Sequence, residues 1–121
     1  MKTNESQENY LETILLLGKR LPNVRSVDIA TELGFKKSSV SVAMKNLRLN
    51  NYITVSEEGF IKLTDTGLSL AEMIYERHTI LTSLFMTLGV EEDIAAEDAC
   101  RIEHVISPES FAAIKEWVSK Q

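Results

Sequence analysis

SVDIATELGFKKSSVSVAMKNLRLN, residues 26–50, reads as two short helices on either side of a glycine turn. Ser26 is a residue that caps helix N-termini well, and Asp28 suits the positive end of the helix dipole. Ile29, Ala30 and Leu33 then form an apolar stripe that stops at Gly34. From Lys37 to Asn50 a second stripe of Val40, Met44 and Leu47 recurs at helical spacing, while Ser38, Ser39, Ser41, Lys45 and Arg48 take the other faces. Two short helices joined this way are the helix-turn-helix pattern. The period then changes from helical to alternating. Tyr52–Val55 and Phe60–Leu63 are β-prone runs separated by Ser56-Glu-Glu-Gly59, which predicts a hairpin, or wing.

Working outward, Asn4 can cap a first helix in which Tyr10, Leu11, Ile14, Leu15 and Leu17 face inward, ended by Gly18 to Pro22. Beyond the hairpin, Thr64 caps a long helix running to about Leu88. Its expected inner side is Leu68, Ala71, Tyr75, His78, Leu81 and Phe85, and Gly89 closes it. A fifth helix is expected over Glu91 to Val105. Ser107-Pro-Glu109 gives a sixth its cap, first-turn proline and dipole-matched acid, with Phe111 and Trp117 as its anchors. The fold class is mainly α: a winged helix-turn-helix with a small β-hairpin over 1–63, then a three-helix segment over 64–121.

The chain has 121 residues, 44% hydrophobic and 26% charged, the make-up of an ordinary globular protein. No run approaches the roughly 18 apolar residues of a membrane span, and the N-terminus lacks the apolar core of a signal peptide, so a cytoplasmic protein without a membrane partner is expected. Cys100 is the single cysteine, hence either a small core side chain or a thiolate with a role. The net charge of −5 is unevenly spread. Through Leu63 nine basic residues face seven acidic ones, a balance of +2, whereas from Thr64 onward four oppose eleven, a balance of −7. The first half suits an anionic partner and the second a cationic one.

The segment Lys36 to Arg48 carries four cations, no acid and three serines. Lys36, Lys37, Ser38, Ser39, Ser41 and Lys45 are therefore candidates for contact with double-stranded DNA. The start of the helix would meet phosphates and its next turn base edges in the major groove. Glu57 and Glu58 at the wing tip argue against a phosphate-binding wing. A second constellation is Cys100, Glu103 and His104, spaced i, i+3 and i+4, which on one helix puts thiol, carboxylate and imidazole on one face. Such donors suit a borderline divalent transition metal. A buried cysteine beside a surface Glu/His pair would read identically. Asn9 and Glu12 share a face of the first helix, and His78 falls inward on the long one, where a lone histidine is more often a core residue than a ligand.

Glu8-Asn-Tyr-Leu-Glu-Thr-Ile14, Val27-Asp-Ile-Ala-Thr-Glu-Leu-Gly34, Ser38-Ser-Val-Ser41, Leu63-Thr-Asp-Thr-Gly67, Arg77-His78 and Glu97-Asp-Ala-Cys-Arg-Ile-Glu-His-Val-Ile-Ser107 together closely resemble the DtxR/MntR family of metal-dependent transcriptional repressors. The blocks follow the family's order and span nearly the whole chain. The resemblance implies a homodimer that binds a palindromic operator when loaded with metal, with 1–63 as the DNA-binding domain and 64–121 as the metal-binding and dimerisation domain. Metal would fix the spacing of the two recognition helices. It assigns His78, Cys100, Glu103 and His104 as metal ligands, and Glu12 as a ligand of the manganese branch.

Asn9 departs from the methionine or aspartate of the family, offering only a neutral amide oxygen. Thr82 and Ala96 stand where the iron branch has ligands of an ancillary site, and the chain matches a short form without the SH3-like domain. The thiol favours metals further along the Irving–Williams series than Mn(II), and with cellular availability Fe(II) is favoured, Mn(II), Co(II) or Zn(II) being the other candidates. Two other classes compete. A metalloenzyme built on Cys100, Glu103 and His104 lacks a general base at motif spacing, so no catalytic residue and no organic substrate is expected. A winged-helix regulator that senses no metal would differ in having only structural roles for these side chains.

Overall fold

The computed structural model describes residues 4–121; residues 1–3, with Lys2 and the first positions of the expected DNA-binding domain, lie outside the described residues. Six helices and one hairpin follow in chain order: α1 (Glu5–Gly18), α2 (Ser26–Leu33), α3 (Lys37–Leu49), β1 (Ile53–Val55), β2 (Ile61–Leu63), α4 (Asp65–Thr87), α5 (Glu92–Ile102) and α6 (Pro108–Ser119). They form two compact units, Met1–Glu72 and Met73–Gln121.

In the first unit, α1 starts on a reciprocal cap. The Asn4 side chain accepts from the Gln7 N–H at 2.8 Å, and the Gln7 side chain accepts from the Asn4 N–H at 3.4 Å. The cap of α2 corrects the expectation for Ser26. Arg25 is the capping position, its N–H donating to the Asp28 carboxylate at 2.8 Å, and Ser26 is the first helical residue. Asp28 serves the exposed amide better than a hydroxyl one residue later, because the charged acceptor also meets the helix dipole. Gly34 ends α2 with φ of 68°, a left-handed conformation that a β-carbon penalises.

The turn into α3 then carries Val40, Met44 and Leu47 inward against Leu11, Ile14, Ile29 and Ala30. The hairpin pairs Ile53 with Leu63 and Val55 with Ile61, and the Ile61 N–H donates to the Val24 carbonyl at 2.7 Å, which fixes the wing to the chain before α2. Gly67 sits on the Tyr52 carbonyl so closely that a β-carbon there would overlap its oxygen and lie 3.0 Å from its carbon. The first turn of α4 is thereby seated on the end of α3's connection, with Thr64 donating its N–H to the same carbonyl at 3.0 Å and capping Gly67 through its hydroxyl.

In α4 the buried positions are Gly67, Ala71, Ile74, Arg77 and Leu81, each three or four residues from the next. Leu68 is 38% exposed, which corrects its expected place on the inner side, and Ile74 takes that role. The second unit adds Ala95 and Ala99 of α5 and Phe111 of α6. Ser107 caps α6 as expected, accepting the Ser110 N–H at 3.1 Å. Trp117 does not anchor α6 within the chain: it is 42% exposed, because only the first turns of that helix present a buried face, at Phe111.

Candidate metal centre and nucleic-acid face

The expected fifth helix to Val105 ends three residues earlier, at Ile102, so Cys100, Glu103 and His104 do not lie on one helix. The Glu103 N–H still donates to the Ala99 carbonyl at 2.9 Å, but Val105 and Ile106 then both donate to the Ile102 carbonyl at 3.0 and 3.1 Å. The chain closes on itself in a tight turn there. Its physical cause lies on α4. The Arg77 guanidinium donates through Nη1 to the carbonyls of Glu103 at 3.1 Å and Ile106 at 2.9 Å, taking the acceptors that a further helical turn would use.

That turn drives the Glu103 side chain inward until it is wholly buried. Its Oε2 lies 2.9 Å from His78 Nδ1 and its Oε1 3.3 Å from His104 Nε2. The His104 imidazole is itself 3% exposed. Glu103 Oε1 accepts no hydrogen bond with proper geometry, although it is buried. A desolvated carboxylate costs several kcal/mol unless charge and hydrogen bonds compensate it. An anionic oxygen with unspent acceptor capacity, set between two imidazoles, fits a cation.

Cys100 is exposed on α5, which removes the reading of a core cysteine and separates it in environment from the buried Glu103. Asn9 and Glu12 belong to α1 in the first unit. Asn9 is half-buried, its carbonyl accepting the Thr13 hydroxyl at 2.8 Å, and Glu12 is buried. The Thr82 hydroxyl donates back to the His78 carbonyl at 2.7 Å. Arg77 entered the sequence reading only as the neighbour of His78. The signal for its role was its register: it shares the buried stripe with Ile74 and Leu81, where an arginine needs partners.

On the first unit, Lys36, Lys37, Ser38, Ser39, Ser41, Lys45 and Arg48 are all exposed, opposite the buried Val40, Met44 and Leu47. Ser26, Ser41, Met44, Lys45, Arg48 and Val55 line one shallow notch without an acid. Its cations and hydroxyls suit a phosphodiester. At the wing, Glu57 and Glu58 are exposed. Glu58 is held below its ordinary carboxyl value by hydrogen bonding to its own backbone amide, then by the Ser56 hydroxyl, with Arg25 contributing. Arg25 lies over the Phe60 ring at 4.8 Å. The wing tip therefore stays anionic.

Residues 2–60 match the family described as iron dependent repressor, N-terminal DNA binding domain, and residues 64–120 match its metal binding and dimerisation domain. The chain belongs to the iron-dependent repressor family. It is 33% identical over 119 residues to an HTH-type transcriptional regulator of Methanocaldococcus jannaschii, covering 97% of this chain and 95% of that one. It is 32% identical over 113 residues to the transcriptional regulator MntR of Escherichia coli, covering 93% of this chain and 73% of that protein. The solved structure of the manganese regulator SloR superposes with a TM-score of 0.84 at 24% identity, over all of this chain and 56% of that one. This chain thus spans little more than half the length of that solved relative. The winged helix-turn-helix with a helical C-terminal segment is shared with that solved structure. Members of the family are metal-dependent, DNA-binding transcriptional regulators that dimerise, and this chain is one of them. Among the described residues, no helix is long and apolar enough to cross a membrane.

Proposed function

We propose that the protein is a homodimeric repressor that binds a palindromic operator when loaded with a divalent transition metal, held by His78, Cys100, Glu103 and His104 together with Glu12. Asn9 contributes at most a neutral amide oxygen. The single observation that carries the reading is the buried Glu103 carboxylate, set 2.9 and 3.3 Å from two imidazoles with one oxygen unsatisfied. A bound divalent cation supplies the positive charge that this donor set lacks when both histidines are neutral. Glu103 and His104 then present their donors from a turn whose backbone is already fixed, and His78 from the middle of α4. On the first unit, Lys36, Lys37, Ser38, Ser39, Ser41 and Lys45 form the DNA face, with the start of α3 on phosphates and its next turn toward bases.

The thiol at Cys100 favours Fe(II), Co(II) or Zn(II) over Mn(II), which prefers hard oxygen donors. In a cell, availability then selects iron or zinc rather than manganese, with Fe(II) favoured. SloR is described as a manganese regulator, so the preference is the point at which this chain is expected to differ. The protein is read as a cytoplasmic regulator and not an enzyme, acting on DNA and on no organic substrate. The test is metal analysis of the purified protein with operator binding measured before and after a chelator. Competitive titration of Mn(II) against Co(II) follows. Operator binding that ignores the chelator overturns the reading. Equal affinity for the two metals, unchanged by Cys100→Ala, removes Cys100 and the iron preference.

A further inference from the structure

The metal donors account for His78, Glu103 and His104 but leave Arg77 between them unexplained. It is 8% exposed, in the same buried stripe as Ile74 and Leu81, where an aliphatic side chain would pack at no electrostatic cost. Its Nε is buried with no hydrogen-bond partner. A guanidinium kept at such a position acts through its two satisfied bonds, which end on the carbonyls of Glu103 and Ile106. The first belongs to a proposed ligand itself. The second closes the turn that follows His104. The same guanidinium lies over the Phe111 ring of α6, 5.5 Å from its centre.

We infer that Arg77 is the positioning residue of the metal centre: it fixes the Glu103-His104 turn before metal arrives and ties that turn to α6. The inference rests on the metal-site reading above. Its physical basis is preorganisation. The last carbonyls of a helix have no intrahelical partners, and a frayed α5 would leave Glu103 and His104 sampling many geometries. One guanidinium nitrogen, Nη1, holds the Glu103 carbonyl at the helix end and the Ile106 carbonyl beyond it at a defined separation. Lysine could donate to both carbonyls too, but only from a flexible stem and without the planar group that lies over Phe111. Groups that orient ligands from behind in this way typically govern metal affinity by about 10- to 100-fold. The stacking on Phe111 extends the restraint into a helix of the family's metal-binding and dimerisation domain, so the order of the ligand turn and the order of α6 are linked through one side chain.

The test uses the whole chain with Co(II) as the probe, read by its visible absorption, and Arg77→Met, Arg77→Lys and His104→Ala as variants. Arg77→Met should bind Co(II) about 10- to 100-fold more weakly. Arg77→Lys should fall between it and the wild type. Without metal, amide exchange at Val105 and Ile106 should accelerate in Arg77→Met, a readout that a purely packing role elsewhere in the core would not single out. Should the variants not fold, the wild-type protein decides the matter: titration with diamagnetic Zn(II) should shift the Arg77 Nε–H and the Phe111 ring resonances in step with those of His104. Undiminished Co(II) affinity in folded Arg77→Met, or Zn(II) shifts that spare Arg77 and Phe111, overturns this inference alone. A wild-type protein that binds neither metal overturns the metal reading and this inference with it.

Discussion

The two units of the chain are stabilised in opposite ways. The first closes a continuous apolar core from α1, α2, α3 and the hairpin, with Leu11, Ile29, Val40, Leu47 and Ile53 essentially inaccessible. The second buries little beyond Ile74, Leu81, Phe111 and two alanines, and spends further buried positions on Arg77 and Glu103. Meanwhile Met86, Leu88, Ile94, Val105 and Trp117 of that unit are exposed. A DNA reader must hold its shape at all times, and its core is complete within the monomer. A sensor must change with its signal, and the second unit leaves apolar surface exposed while it buries an acid and a guanidinium.

The sharpest way to break this comparison is a cavity in the first core. Leu47→Ala should cost about 2–5 kcal/mol, against a whole-domain stability of roughly 5–15 kcal/mol, and should abolish operator binding whether or not metal is present. Denaturant unfolding monitored on the two units separately would check it; a loss confined to the second unit would refute the division of labour. Next in size, Glu103→Ala should weaken Co(II) binding by at least about 100-fold, more than loss of a group that only orients a ligand. Its apo protein should be no less stable than wild type, since a buried carboxylate has gone with it. A marked apo destabilisation would mean that Glu103 is structural.

Trp117→Ser should loosen the dimer by about 2 kcal/mol, the cost of removing an aromatic anchor, leaving the unfolding of the first unit unchanged. Sedimentation across micromolar concentrations would show it, and an unaltered dimer would place the interface elsewhere. The smallest expected effect is electrostatic. Lys37→Glu and Lys45→Glu should each lower the log-log salt slope of operator binding by at least about 0.9 if each cation meets a phosphate. A slope unchanged in both variants would remove α3 from the DNA face.

Much of the first unit was legible in the sequence because its determinants are local. The stripe of Val40, Met44 and Leu47, the left-handed Gly34 and the alternation in Ile53–Val55 each act within a few residues, and each element stands where its pattern put it. The second unit was legible only where its signals are local too, as at Ser107 and Pro108. The end of α5 was misplaced because Arg77, 26 residues away from Glu103, decides it by taking a carbonyl. Nothing in the run from Cys100 to Val105 announces that event. Trp117 was misread for a related reason: an apolar residue at helical spacing reports that a face is to be covered, but not by which molecule.

The carboxylates at the wing tip bear on how this regulator finds its operator. A genome offers on the order of 10⁶–10⁹ competing sites of unrelated sequence, and the hold of such DNA on a protein is set almost entirely by cations near its phosphates. In a chain of net charge −5 whose proposed DNA face has its cations gathered at one helix, and whose wing tip exposes Glu57 and Glu58, that hold is expected to be weak. Fewer molecules would then be sequestered on irrelevant DNA at any moment, so fewer copies would suffice to keep one operator occupied. The cost is a shorter slide along the duplex per encounter. Occupancy then tracks the concentration of correctly loaded dimer more directly than it would for a strongly basic reader.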